Sequence, residues 1–423
     1  MVEARAHSLS ARPAPISREP EAEARAHSSP IAFFLGVTWL TVILSGVTQW
    51  AVRGESPNAY YIFMGCFLPY FLMFRLPQVA RLATYPQFWL WVLSAGLPML
   101  LFLLGQNDPW ARAIVKSRII FFSIVAGSAL VLVAPDARRM LRTSALIVLS
   151  FAIPICLIEL VVPNIFSTSE GRSAGLYGNP NDASAALLIC LLFALDDVRR
   201  VTNRGLVLLS VGTVAVITTF SRHGMIFAAA LWAWYALLPG RGRSRDRDGQ
   251  QRLLVLLGVV AVVVVGGALV IHNVNLNEQA IGRLRSLLLG DVSDASTMGR
   301  LDKARSALEV IRGNFWGRGI GFGTRNLMVP HNTFLYFAID YGIPGALFYL
   351  TILAAGLLSA LRAGWARAAN AILVSLLLFW SSLFTHYAAD TGFFSAAFAA
   401  LATGALILPR EGPRDAERRR SGQ

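Results

Sequence analysis

The sequence predicts an all-α polytopic membrane protein of about twelve transmembrane helices, with a large loop on the outer side between helices 9 and 10. Three observations predict it. Hydrophobic residues make up 55% of the 423-residue chain against 15% charged, and the mean hydropathy is +0.55; a soluble chain of this length needs more charge to cover its surface. Apolar runs of roughly the 17–25 residues that a bilayer requires recur along almost the whole chain. Finally, the basic residues are distributed with a sidedness. The net charge of +14 and the pI near 10.5 would suggest nucleic acid as a partner in a soluble chain. Here they are read as a signal of orientation, and no nucleic-acid partner is expected.

The elements follow in order. Residues 1–30, rich in Ala, Pro, Arg and Glu, are expected to form a disordered cytoplasmic tail. The next unit, 31–271, holds helices 1–9. The first span, 31–50, lacks a clear basic head and small-residue cleavage site before it, so it reads as an uncleaved anchor. Spans 58–74 and 86–105 flank Arg75 and Arg81. Span 113–134 has Arg112, Lys116 and Arg118 crowding its outer start, and 143–163 is preceded by Arg138, Arg139 and Arg142. Span 181–195 is short. Spans 205–220 and 224–239 form one apolar run broken only by Ser221-Arg222-His223-Gly224, and 253–271 follows a basic loop. The unit 272–332 is the outer loop, 333–409 holds helices 10–12 (333–361, 369–386 and 391–409), and 410–423 is a second polar tail.

Charge orients this ladder. With the N-terminus inside, 24 of the 38 basic residues fall on the inner side and 14 on the outer, while the acidic residues divide evenly. A cytoplasmic excess of Lys and Arg is the rule for polytopic proteins, so both termini are expected in the cytoplasm. Cys66, Cys156 and Cys190 fall inside spans without metal-ligand spacing and read as core residues.

The outer side carries the residues that burial alone does not explain. His223, His272, His331 and His386 sit at outward span ends. A helix end simply tolerates a polar ring, which is the favoured reading for His272 and, less strongly, for His223 and His386. The loop 272–332 contains eight basic residues, among them Arg300, Lys303 and Arg305. Leu301, Ala304, Leu308 and Ile311 recur there at helical spacing, predicting an amphipathic helix with Ser296 or Thr297 as its cap. The stretch Gly317-Arg-Gly-Ile-Gly-Phe-Gly323 lacks the strand–helix context of a dinucleotide site and reads as a flexible turn. Arg222 interrupts an apolar run where a basic residue costs up to roughly 2.5–3.5 kcal/mol at a helix centre, and less near the interface, which makes it a functional candidate. Snorkelling to the interface is its bland alternative. Arg112, Lys116 and Arg118 fit lipid-phosphate anchoring and an anionic site equally well.

These residues carry a resemblance. His331-Asn332, nine residues, then Gly342-Ile-Pro-Gly345 resembles the signature of the bacterial O-antigen ligase and O-antigen polymerase family. Arg172-Ser-Ala-Gly-Leu-Tyr-Gly-Asn179-Pro-Asn181 is similar to its G-x-x-x-N-P-N region, and Ser221-Arg222-His223-Gly224 to its S-R-x-G turn. Arg300 resembles the start of its large periplasmic loop. The resemblance implies a GT-C-like membrane glycosyltransferase in the bacterial inner membrane, with its active site facing the periplasm. Such an enzyme takes a glycan from undecaprenyl diphosphate, inverts the anomeric centre in one displacement and uses neither metal nor other cofactor. Compatibly, the only D-x-D, Asp246-Arg-Asp248, falls in an expected cytoplasmic loop.

On that resemblance His331 is expected to be the general base, Arg222 and Arg300 the diphosphate ligands, and Arg172 a third. Asn332, Gly342, Gly345, Asn179 and Asn181 are motif or structural support. The acceptor is expected to be lipid A–core, as for a ligase, or a growing polysaccharide, as for an O-antigen, capsular or exopolysaccharide polymerase. Transfer to protein is a rarer variant. Membrane lipids are the remaining partners. A transporter or flippase would instead place charges near the bilayer midplane and show repeat symmetry, neither of which is evident.

Overall fold

The computed structural model describes residues 29–47, 58–103, 109–162, 165–169, 172–195, 203–237, 295–385 and 391–408. The expected span 253–271, both tails, His272, His386, Arg283, Arg285 and the pair Asp246 and Asp248 lie outside the described residues. Those described are helical, without strands. Helices α1 (Pro30–Leu44), α2 (Asn58–Tyr70, continued by a π turn over Phe71–Arg75), α3 (Gln78–Ala83) and α4 (Pro86–Leu103) come first. Then follow α5 (Pro109–Leu132), α6 (Ala137–Val161), α7 (Pro180–Ala194), α8 (Asn203–Thr218) and α9 (Arg222–Leu237). After the interval come α10 (Ala295–Arg312), the single turn α11 (Phe322–Arg325), α12 (Thr333–Ala363), α13 (Trp365–Phe384) and α14 (Gly392–Ala402).

A helix therefore lies on each apolar run that the described residues cover. Four are long and apolar enough to cross a membrane, at 109–132, 137–159, 333–363 and 367–384. Pro30–Leu44, Ile62–Arg75, Pro86–Leu101, α7, α8 and α14 are shorter apolar helices.

Two helices form the centre. Every residue of α7 except Asn181 is buried, and so is all of α14. Both are apolar or small-residue on every face, the pattern of a helix enclosed by others rather than lining a surface. Helix α7 is packed by α6, α8, α9 and α13, and α14 by α1, α5 and α12. The last carbonyls of α7 find a donor within this apolar setting: Asn370 Nδ2 of α13 donates to Leu192 O (2.9 Å) and Leu195 O (2.7 Å). At its other end Asn179 accepts from the Asn181 N–H at 2.9 Å, with Pro180 as the first helical residue. That is a regular amide cap, and it starts α7 beside the site.

Candidate functional site

The loop joining α6 to α7 is organised by one carboxylate. Glu159, near the end of α6 and only 3% exposed, accepts from the Phe166 N–H (2.9 Å) and the Ser167 N–H, and from the Ala174 (2.7 Å) and Gly175 (2.8 Å) N–H groups. Four donors from both arms of the loop thus converge on it. The loop is also tied to α8 by the Ser173 N–H, which donates to Thr218 O at 3.1 Å. Between these ties lies Arg172, buried, with Nε donating to Thr219 O (2.9 Å) and Nη2 to Asn181 Oδ1 (3.2 Å).

The apolar run over 205–239 does turn at Ser221-Arg222-His223-Gly224. Phe220 takes the left-handed conformation (φ 46°), unusual for a bulky residue, and the Ser221 N–H donates to Thr219 Oγ1 (3.2 Å). Arg222 becomes the first residue of α9. The glycine of this turn has a steric reason: a Cβ on Gly224 would lie 2.5 Å from the Cβ of Ser184 on α7. Any side chain there would push α9 away from α7.

Helix α10 confirms the amphipathic pattern with two differences. It begins at Ala295, so Ser296 and Thr297 lie in its first turn and are not its cap. Its buried stripe is Ala307 and Ile311, packed on Ala338 and Ile339 of α12, while Leu301 and Leu308 are each 44% exposed. Arg300 and Ala304 continue the stripe at helical spacing, and this directs Arg300 towards α9 and α12.

The chain then returns through the glycine-rich stretch, which is pinned and not a flexible turn. In α12, Gly342 breaks the helix (φ 76°, ψ −176°), two residues before Pro344. An unbroken helix would join Ile343 N–H to Ile339 O, and Pro344 has no N–H for Asp340 O. The loop supplies the replacements: the Arg318 N–H donates to Ile339 O (2.8 Å) and the Gly319 N–H to Asp340 O (3.1 Å), while the Ile343 N–H donates to Phe315 O (2.9 Å). The buried Asp340 carboxylate accepts further from the Gly321 (2.9 Å) and Gly323 (3.3 Å) N–H groups. Neither Gly342 nor Gly345 lines the cavity; Gly342 makes the kink to which its wall is clasped, and a Cβ on Gly345 would lie 2.4 Å from the Cβ of Tyr341. At the start of α12, Asn332 Oδ1 accepts from the Leu335 N–H at 3.0 Å, which holds the preceding His331 at the helix mouth.

These pieces enclose one cavity of about 370 Å³. Arg172, Arg222, Arg300, His331, Asn181 and Asn332 all line it, so the structure brings together the expected base, all three expected diphosphate ligands and two of the supporting asparagines. Sequence reasoning did not assign the remainder of the wall to the site: Phe220, His223, Ile226, Leu301, Ala304, Pro330, Leu335, Leu383 and Phe384. His223 is more than a polar ring tolerated at a helix end. Arg112, Lys116 and Arg118 do not line the cavity, and Arg118 is buried with its guanidinium 4.8 Å from the centre of the Phe337 ring.

The cavity is electropositive. Among the described residues its wall holds three arginines and no carboxylate, and α7, α9 and α12 all begin beside it, presenting the positive ends of their dipoles. His331 responds: burial first, then Arg300 and Lys303, push its pKa down to about 4. At neutral pH its imidazole is therefore uncharged. The arrangement suits a polyanion held against a hydrogen-bonding base, with apolar side chains on one flank for a hydrocarbon.

No curated protein is similar enough to the chain to match it. Residues 205–350 match the family described as O-antigen ligase, a stretch that runs from α8 into α12 and includes Arg222, Arg300, His331, Gly342 and Gly345 but not Arg172 or Asn181. Over this stretch, about a third of its length, the chain, helical in its described residues, is similar to the O-antigen ligase family.

Proposed function

We propose that the chain is a membrane glycosyltransferase of the O-antigen ligase type, which moves a glycan from undecaprenyl diphosphate to an acceptor hydroxyl of lipid A–core on the periplasmic face of the inner membrane. One observation carries this reading most: Arg172, Arg222, Arg300 and His331, from four separate stretches of chain, line a single cavity. In the proposed reaction His331 takes the proton of the acceptor hydroxyl as its oxygen attacks the anomeric carbon. The bond from that carbon to the diphosphate oxygen breaks, and the electron pair leaves with undecaprenyl diphosphate. Charge grows on the leaving group as it departs, and arginine forks already aimed at it stabilise that charge without reorganisation. Attack from the face opposite the leaving group inverts the anomeric centre, and the chain's own side chains suffice for each step.

The donor also tunes its base. The diphosphate's negative charge offsets the field of Arg300 and Lys303 and raises the affinity of His331 for a proton in the loaded enzyme. Ile226, Leu301, Leu335 and Leu383 offer the polyprenyl chain an apolar flank.

A polymerase of O-antigen, capsular or exopolysaccharide uses the same donor chemistry with a growing glycan as acceptor. A transporter or flippase has less support, because the cavity is built from helix ends and not from mid-helix charges. Two experiments test the reading. Arg222→Ala, Arg300→Ala and His331→Ala each abolish transfer in membranes that contain normal amounts of the protein; full activity in any of them removes that residue from the site. Gene deletion followed by electrophoresis of surface glycans separates the acceptors. Loss of all glycan from lipid A–core marks a ligase, and survival of a single repeat marks a polymerase. Unchanged lipopolysaccharide with a lost exopolysaccharide marks a polymerase of another polymer.

A further inference from the structure

His223 lines the cavity, yet the proposed reaction gives it no task. Its ring is buried and stacked on Phe384, with centroids 5.9 Å apart and planes 10° apart. Trp380 Nε1 donates to its carbonyl at 3.0 Å. On the cavity side three contacts run in series. His223 Nδ1 lies 2.9 Å from Ser221 Oγ, Ser221 Oγ lies 3.1 Å from Asn181 Oδ1, and Arg172 Nη2 lies 3.2 Å from that same oxygen.

The protons in this series can be placed by elimination. A guanidinium only donates, so the amide oxygen of Asn181 and not its NH₂ must face Arg172. That oxygen has no hydrogen to give, so Ser221 turns its single hydroxyl hydrogen onto it. Towards His223 the Ser221 oxygen is left as an acceptor, which places a proton on Nδ1, and the Asn181 carbonyl also faces the ring. The other ring nitrogen is 3.5 Å from Ser184 Oγ, whose own hydrogen goes to the Asn181 carbonyl at 2.8 Å.

We propose that His223 is a positioning residue for Arg172: a directed relay from His223 Nδ1–H through the Ser221 hydroxyl to Asn181 Oδ1 fixes the amide oxygen, and that oxygen fixes the guanidinium plane. The proposal rests on Arg172 being a diphosphate ligand. With Nε on Thr219 O and Nη2 on Asn181 Oδ1, the fork has two fixed acceptors on different elements. The relay orients one of them from α9. Removing His223 leaves the charge of Arg172 and its bond to Thr219 O in place but loosens the acceptor that sets the other edge of its fork. Donor binding then survives while the alignment needed as charge develops is lost, so the effect falls on kcat and not on KM.

The test compares His223→Leu, His223→Gln and His223→Asn in the full chain in lipid nanodiscs, with an undecaprenyl-diphosphate-linked glycan as donor. An Asn amide nitrogen reaches the position of Nδ1, whereas a Gln amide reaches that of the other ring nitrogen. The Leu and Gln variants should lose about 10–100-fold in kcat with KM within about two-fold, and Asn should restore most of the rate. Equal losses in Asn and Gln, or a change confined to KM, overturn the relay. In parallel, ¹⁵N NMR of histidine-labelled protein should find a proton on Nδ1 of His223, assigned by difference from His223→Asn. A bare Nδ1 overturns the relay whatever the activity. Wild-type protein that transfers no glycan refutes glycosyl transfer, and the NMR result still decides the relay.

Discussion

Burial first, and then the positive field of Arg300 and Lys303, lower the pKa of His331, and together they dictate how activity must titrate. The folded imidazole protonates only near pH 4, so a step needing its lone pair retains activity above that value and loses it as pH falls through it. The acid limb of kcat/KM, which reports the free enzyme, is therefore expected near pH 4. The limb of kcat, which reports the loaded enzyme, should lie at higher pH because the donor's charge raises the imidazole's pKa. Lys303 does not line the cavity, and Lys303→Ala should move the kcat/KM limb towards neutrality; an unmoved limb would remove Lys303 from the control of His331. Glu159 makes a second residue-scale prediction. Each N–H that loses its acceptor in a buried setting costs about 1–3 kcal/mol. Thermal stability of the purified protein should fall in the order wild type, Glu159→Gln, Glu159→Ala, and transfer should fall with it as the Arg172 loop loosens. The roles of Glu159 and His223 do not declare themselves in the sequence. Glu159 meets partners 7, 8, 15 and 16 positions on, a spacing that belongs to no regular element, and His223 has the bland alternative open to any histidine at a span end.

The elements show where sequence periodicity sufficed and where it did not. Apolar runs located the helices because burial and lipid contact both demand unbroken hydrophobic stretches. The division of 205–239 into α8 and α9 was legible because a single Arg-His pair has no place in the middle of a span. Helix α10 was legible as a helix but not in its facing, since Leu301 and Leu308 are exposed while Ala307 is the buried contact; small residues give little hydrophobic signal where helices approach closely. The glycine-rich stretch was least legible, because backbone hydrogen bonds to a broken helix leave no trace in side-chain pattern. The clasp gives the prediction at this scale. A Cβ on Gly342 would lie 2.2 Å from Phe315 O at a positive φ. Gly342→Ala should cost at least about 1–3 kcal/mol, lower the melting temperature and impair transfer, although no cavity residue is changed. A variant with normal melting and normal transfer would show that the clasp is dispensable.

At the scale of the whole molecule, the charge distribution and the cavity make one joint statement. Residues at the start of α7, α9 and α12 and at the ends of α8 and α13 meet in the cavity, as expected if these helices run alternately across one layer. That common end should be the periplasmic one, opposite both chain termini. In a background with Cys66, Cys156 and Cys190 replaced, Trp316→Cys, exposed in the loop before α12, should react with a membrane-impermeant maleimide in intact spheroplasts. Arg204→Cys should react only after lysis; the reverse pattern would invert the proposed topology.

The uniform positive charge of the cavity has a final consequence for turnover. In the proposed reaction the departing lipid diphosphate carries more negative charge than the donor that brought it, so the arginines grip the spent carrier more tightly than the fresh one. Free undecaprenyl diphosphate should therefore compete with donor and bind more tightly than the glycan-loaded carrier. The side chains that make the leaving group leave its carbon are the same ones that delay its escape from the protein.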